Sequence, residues 1–169
     1  MKIILTINIV KKGVKNYMNK EMKLGIYRFI KEIGKEYGVK FHDYDLQCDV
    51  FDEVVYVGET YDRRTDIYFE NFVNKLNPEC KKINSFLLSL LHEIGHIETW
   101  SDEASDEKDV IYALLEMQYD SEEELTDEKL EEYCDLYFNI PLEKNATLWG
   151  IDYALSHLDL MEKYAWLHN

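Results

Sequence analysis

The sequence predicts an α+β fold, with strands and a helix in its first half and helices through its second. Three observations predict it. Ile3, Leu5, Ile7 and Ile9 alternate with more polar neighbours, the period-2 pattern of a half-buried strand. Met22, Ile26, Phe29, Ile30, Ile33 and Tyr37 recur at the 3.6-residue period of an amphipathic helix. Beyond residue 80, helix-type segments follow one another, several opened by a capping residue or a proline.

In chain order, the first helix is expected over about residues 16–37, with Gly38 as its stop. "DEVVYVG" (52–58) and "DIYF" (66–69) read as two short strands joined by the polar "ETYDRRT". A second helix spans about 84–100. Ser105 and Thr126 are candidate N-caps, each followed by acidic residues that suit the positive end of a helix dipole. Pro141 fits the first turn of a helix running toward His157, and a short helix closes the chain. With only two prolines, no Gly/Ser-rich linker and no internal repeat, the 169 residues are expected to form one domain. Its 1–80 part would hold the small sheet, and its 81–169 part would be mostly helical and acidic.

Charge narrows the function classes. Residues 1–80 are neutral, with 13 basic and 13 acidic side chains. Residues 81–169 carry 6 basic and 21 acidic side chains and account for the whole net charge of −15. Nucleic-acid backbones are anionic, so direct nucleic-acid binding through the second half is disfavoured. Runs such as "SDEASDEKD" are ordinarily solvated helix faces, and a basic partner is the other use of such a surface. The apolar start, interrupted by Thr6 and Asn8, is too short and too polar for a secretory segment or a span, and "INSFLLSLL" is too short to cross a bilayer. Cys48, Cys80 and Cys134 are odd in number with no C-x-x-C, so each is expected to be a free or buried thiol. A cytoplasmic protein without a membrane partner is the expectation.

The chemistry concentrates in "LLHEIGHIETW" (90–100), at the end of the most apolar stretch of the chain. His92 and His96 stand four residues apart, so on a helix both imidazoles project from one face and can reach one metal ion. Glu93 between them is placed to act on water at that metal. Leu87, Leu88, Leu90, Leu91, Ile94 and Ile97 surround the motif, so the helix should be buried. Buried imidazoles and carboxylates need partners, which a divalent zinc supplies all at once. Core histidines bonded to carbonyls or tyrosines are the alternative.

Catalytic zinc ordinarily takes three protein ligands, so a third must come from elsewhere. Downstream candidates are Glu98, Glu131, Glu132, Asp135, Glu143, Asp152 and His157. Glu131, Glu132 and Asp135 lie off the apolar stripe of Leu130, Tyr133, Cys134 and Tyr137, which places them in solvent. Glu143 instead begins a stripe of small residues, with Ala146, Gly150 and Ala154 at i+3, i+7 and i+11. A glycine inside a helix costs about 1 kcal/mol against alanine and so points to close packing. Such an approach would bring Glu143 to the metal. Its other role would be that of a first-turn carboxylate opposing the dipole.

"HEIGH" followed by "EKNATLWG" (143–150) resembles the zinc metallopeptidases of the gluzincin type, and among them the small ImmA/IrrE-type family and related phage-encoded proteins. The resemblance covers about residues 50–157, and its specific part is these two motifs. Gly150 stands where that family usually has alanine, and the segment between the motifs is unusually acidic. The resemblance implies a zincin-like fold, zinc held by His92, His96 and Glu143, and Glu93 as general base in cleaving a protein or peptide substrate. A developing oxyanion needs a further donor, for which Tyr153 and His157 are candidates, and "DIYF" is the expected edge strand for pairing with an extended peptide. Two other classes compete: a catalytically silent zinc-binding protein, and an acidic interaction protein that mimics nucleic acid, as in phage or plasmid counter-defence. Neither substrate nor oligomeric state is encoded in these motifs.

Overall fold

A computed structural model describes residues 19–42, 47–49, 54–58, 63–119 and 126–167. Within them the order is α1 (Lys20–Glu32), β1 (Gly38–His42), β2 (Gln47–Asp49), β3 (Val54–Gly58), α2 (Arg63–Leu76), α3 (Ser85–Thr99), α4 (Asp102–Tyr119), α5 (Asp127–Phe138), α6 (Pro141–Ser156) and α7 (Leu158–Lys163). A short 3-10 turn, Pro78–Lys82, links α2 to α3. The architecture is a mostly helical form of the expected α+β class. The strand expected over 3–9 lies outside the described residues.

The sheet runs in the order β1–β3–β2, with β1 parallel and β2 antiparallel to β3. Only β3 corresponds to an expected strand. The helix expected over 16–37 ends early because Gly34 adopts a φ of +91°, a left-handed conformation that closes α1 and frees Gly38 to begin β1. At the other end of α1, the Asn19 side chain accepts the Met22 amide at 2.8 Å.

"DIYF" is not a strand. It lies in α2, whose buried Phe69, Phe72 and Val73 repeat at i, i+3 and i+4. Four residues are too few to show which period governs them; the longer run settles it as helical. The edge strand expected there for peptide pairing is therefore absent at 66–69. Ser105 likewise sits within α4. Its neighbour four residues back does the capping, Ser101 Oγ accepting the Ala104 amide at 3.2 Å. The repeated "SDE" offers two equal starts, and the chain uses the first. Thr126 does cap α5, accepting the Lys129 amide, and Pro141 does open α6.

The core is centred on α3, in which every residue from Phe86 to His96 is buried. It contacts β2 and β3 on one side and packs along α6 on another. That approach is very close. A Cβ on Gly95 would stand 2.3 Å from the backbone oxygen of Ala146, and one on Gly150 would stand 3.2 Å from Leu91. Backbone cannot rotate away as a side chain can. Gly95→Ala is therefore expected to force α3 from α6 and to destabilise by about 3 kcal/mol or more, with Gly150→Ala costing clearly less. Denaturant melts of the two variants check the ranking; equal effects would mean that the helices do not meet along these glycines.

Candidate metal centre

His92 and His96 lie one turn apart on the face of α3 turned toward α6, and Glu143 stands in the first turn of α6. All three are buried: His92 is 6% exposed, His96 7% and Glu143 0%. Nε2 of His92 lies 3.1 Å from Nε2 of His96, and each lies 3.2 Å from Oε2 of Glu143. Their ligand atoms all fall within 4.8 Å of one another, an arrangement able to hold a metal ion. The helix–helix approach allowed by Gly95 and Gly150 is what makes this possible, since a glutamate reaches only a few ångströms beyond its own backbone.

Thr147, one turn beyond Glu143, orders the first histidine. Its hydroxyl donates to the Glu143 carbonyl oxygen at 2.9 Å, so its oxygen is left to accept from Nδ1–H of His92 at 3.0 Å. That assigns the tautomer and turns the Nε2 lone pair toward His96 and Glu143. Phe69 and Phe138 flank the His92 ring edgewise, at 5.4 and 6.5 Å between centroids.

Two imidazole nitrogens and a carboxylate oxygen therefore face one another in a buried site. A proton on His96 Nε2 can serve only one of the two atoms opposite it. Neither oxygen of Glu143 receives a directed hydrogen bond. Lys108 of α4 stands 2.7 Å from Oε1, in range for charge neutralisation but outside hydrogen-bonding angles. Burial alone would push the Glu143 carboxyl up, but His96, His92 and Lys108 outweigh it and hold the carboxyl well below its usual range. Such a cluster is what a cation would relieve.

Glu93 is 8% exposed beside this cluster, and burial pushes its carboxyl up to about 7, with His92 opposing and Glu143 adding to the rise. Two phenols also feel the Glu143 charge. Burial raises both Tyr112 of α4 and Tyr137 of α5, and the negative field of Glu143 raises them further, so both hydroxyls stay protonated. Their rings meet edgewise at 5.3 Å.

The remaining candidates fall elsewhere. Glu98 is taken by Lys35, at 2.5 and 2.6 Å, and by the Tyr37 hydroxyl. Asp135 pairs with Lys75 at 3.0 Å, and Glu131, Glu132 and Asp152 are exposed. Tyr153 and His157 do not join the cluster. They stack on each other at 4.1 Å, and His157 Nδ1 bonds the Tyr153 carbonyl oxygen. Ten and fourteen residues along α6, at a rise of 1.5 Å each, carry them roughly 15 and 21 Å past Glu143. Lys108, Thr147, Tyr112 and Tyr137 were missed by sequence reasoning. Only Lys108 left a signal, as the one basic residue of acidic α4.

No family model, curated protein or solved structure matches this chain. The site therefore rests on its own geometry. Glu143→Gln is expected to weaken metal binding about tenfold or more, because a neutral amide replaces a charged donor, while Glu132→Gln leaves it unchanged. Titration with a chelator-buffered metal compares them; the reverse order would move the site to α5.

Proposed function

We propose that this protein is a zinc-dependent peptide hydrolase of zincin-like fold, with His92, His96 and Glu143 holding the metal and Glu93 acting as general base. The observation that carries the reading is the convergence of two buried imidazole nitrogens and a buried carboxylate oxygen, beside a second carboxyl, that of Glu93. Their separations of 3.1 and 3.2 Å are close to the roughly 3.3 Å expected between donors placed about 2.0–2.1 Å from a tetrahedral zinc. The donor set of two imidazoles and a carboxylate also suits that metal and leaves a fourth position open.

Zinc bound there would polarise a carbonyl and acidify water. The chain's own residues do the rest. Glu93, with a carboxyl near neutrality, accepts a proton from the attacking water and returns it to the leaving amine. Thr147 keeps the His92 ring oriented. Tyr112 and Tyr137, held protonated in the field of Glu143, are candidate donors for the developing oxyanion besides Tyr153 and His157. No helix among the described residues is long and apolar enough to cross a membrane.

The exposed acids of α4 and α5 favour a second reading, an acidic surface for a basic partner. Glu128, Glu131, Glu132 and Asp135 line an open groove along α5. The two readings separate in one experiment: the zinc-loaded protein is incubated with a proteome-derived peptide library and new termini are sequenced. Zinc-loaded, folded protein that cuts nothing would remove the hydrolase reading and leave the acidic surface.

A further inference from the structure

Lys108 is the one basic residue in the eighteen of α4, and its acidic neighbours Asp106, Glu107 and Asp109 all face solvent. A solvated lysine on such a helix would pair with a carboxylate three or four residues away, but those positions hold Ala104, Ser105, Ile111 and Tyr112. Lys108 turns inward instead. Its side chain is only 25% exposed, its ammonium lies 5.0 Å from the centre of the Tyr112 ring, and it stops 2.7 Å from Oε1 of Glu143. The other oxygen of the same carboxylate, Oε2, faces the two imidazoles. One carboxylate is thus divided between an ammonium on one oxygen and two imidazoles on the other.

The geometry points to Lys108 as the residue that makes Glu143 a one-oxygen ligand, an inference that rests on the zinc reading above. The terminal torsion of a glutamate is soft, so an unrestrained carboxylate can swing both oxygens onto a metal. An ammonium held against Oε1 of the fully buried carboxylate opposes that swing, because turning Oε1 away would break an ion pair at a carboxylate shielded from water. The metal then keeps three protein donor atoms and an open position, which the proposed hydrolysis requires. Lys108 touches neither substrate nor metal in this role. It is a positioning residue, and it ties α4 to the site built by α3 and α6.

Cobalt(II) in place of zinc reads this directly, because its visible absorption separates four-coordinate from five-coordinate sites. The wild-type protein should show the intense bands of four-coordination. Lys108→Met should lose them in favour of the weaker bands of five-coordination as Oε1 joins the metal, and Lys108→Arg should restore them. Lys108→Gln, which keeps polarity without charge, should follow the Met variant and provides a second neutral form if Met disturbs folding. A five-coordinate wild type, or neutral variants with the wild-type spectrum, would overturn the inference. So would neutral variants that fail to fold beside a folded Arg variant, which would make the ion pair a stabilising contact only. A wild type that takes up neither cobalt nor zinc removes the zinc reading as well, whereas metal uptake with unchanged variant spectra removes the Lys108 role alone.

Discussion

Zinc should disappear from the purified protein when His92 or His96 is replaced by alanine. Wild-type protein is expected to carry about one equivalent, since a closed set of three protein donors binds a single ion. Each alanine variant deletes one imidazole from that set, leaves two donors and opens a space beside them. The loss has a thermal signature. A ligand present at about a thousand times its dissociation constant stabilises the state that binds it by about 4 kcal/mol. For a chain of this size that is roughly 10 °C in midpoint. Zinc should raise the wild-type midpoint by that order, a chelator should reverse the rise, and neither should move His92→Ala. Elemental analysis and melting curves check it together. Folded wild-type protein that shows neither zinc uptake nor a shift would end the metalloprotein reading, leaving an imidazole pair whose buried acceptors are met by protons.

Much of this site could be read from the sequence because its main residues obey the geometry of one helix at a time. His92 and His96 declare themselves by a four-residue spacing, and the apolar residues around them announce burial. Glu143 was legible through Ala146, Gly150 and Ala154, because a stripe of small side chains records where another backbone must come close. What could not be read is whatever depends on a second element. Lys108 reaches Glu143 from α4, and Tyr137 approaches from α5, at distances in sequence that no period reports. Tyr153 and His157 follow Glu143 by ten and fourteen residues and stack on each other rather than joining the cluster. The sheet was least legible. β2 is only three residues long, and β1 begins at Gly38, a residue that reads as the stop of the preceding helix rather than as the start of a strand.

Glu93→Gln should separate chemistry from binding. The substitution is nearly isosteric, so zinc uptake and the four-coordinate cobalt spectrum should persist. Proton transfer should fail, and general-base assistance is typically worth roughly 10²–10⁴ in rate. The same variant carries a second expectation, of opposite sign. Burial raises the Glu93 carboxyl from 4.5 to about 7 in the folded, metal-free chain, so between those values the folded state holds a proton that the unfolded state has lost. Stability contributed by that proton is complete at low pH and is lost as pH rises through about 7. At pH 8 the charged form thus costs the metal-free protein up to about 3 kcal/mol. Glutamine carries no such charge. Metal-free Glu93→Gln is expected to be more stable than wild type at pH 8, with the difference closing toward pH 5, as measured by urea melts in the presence of a chelator. A residue that lowers stability where it sits and abolishes turnover when neutralised is held for its chemistry. If instead the variant keeps the full peptide-cleaving rate, Glu93 is not the base. If it keeps the protein's full cellular effect while turnover is lost, hydrolysis is not the function, and charge reversal at the exposed Glu131 and Glu132 becomes the decisive comparison.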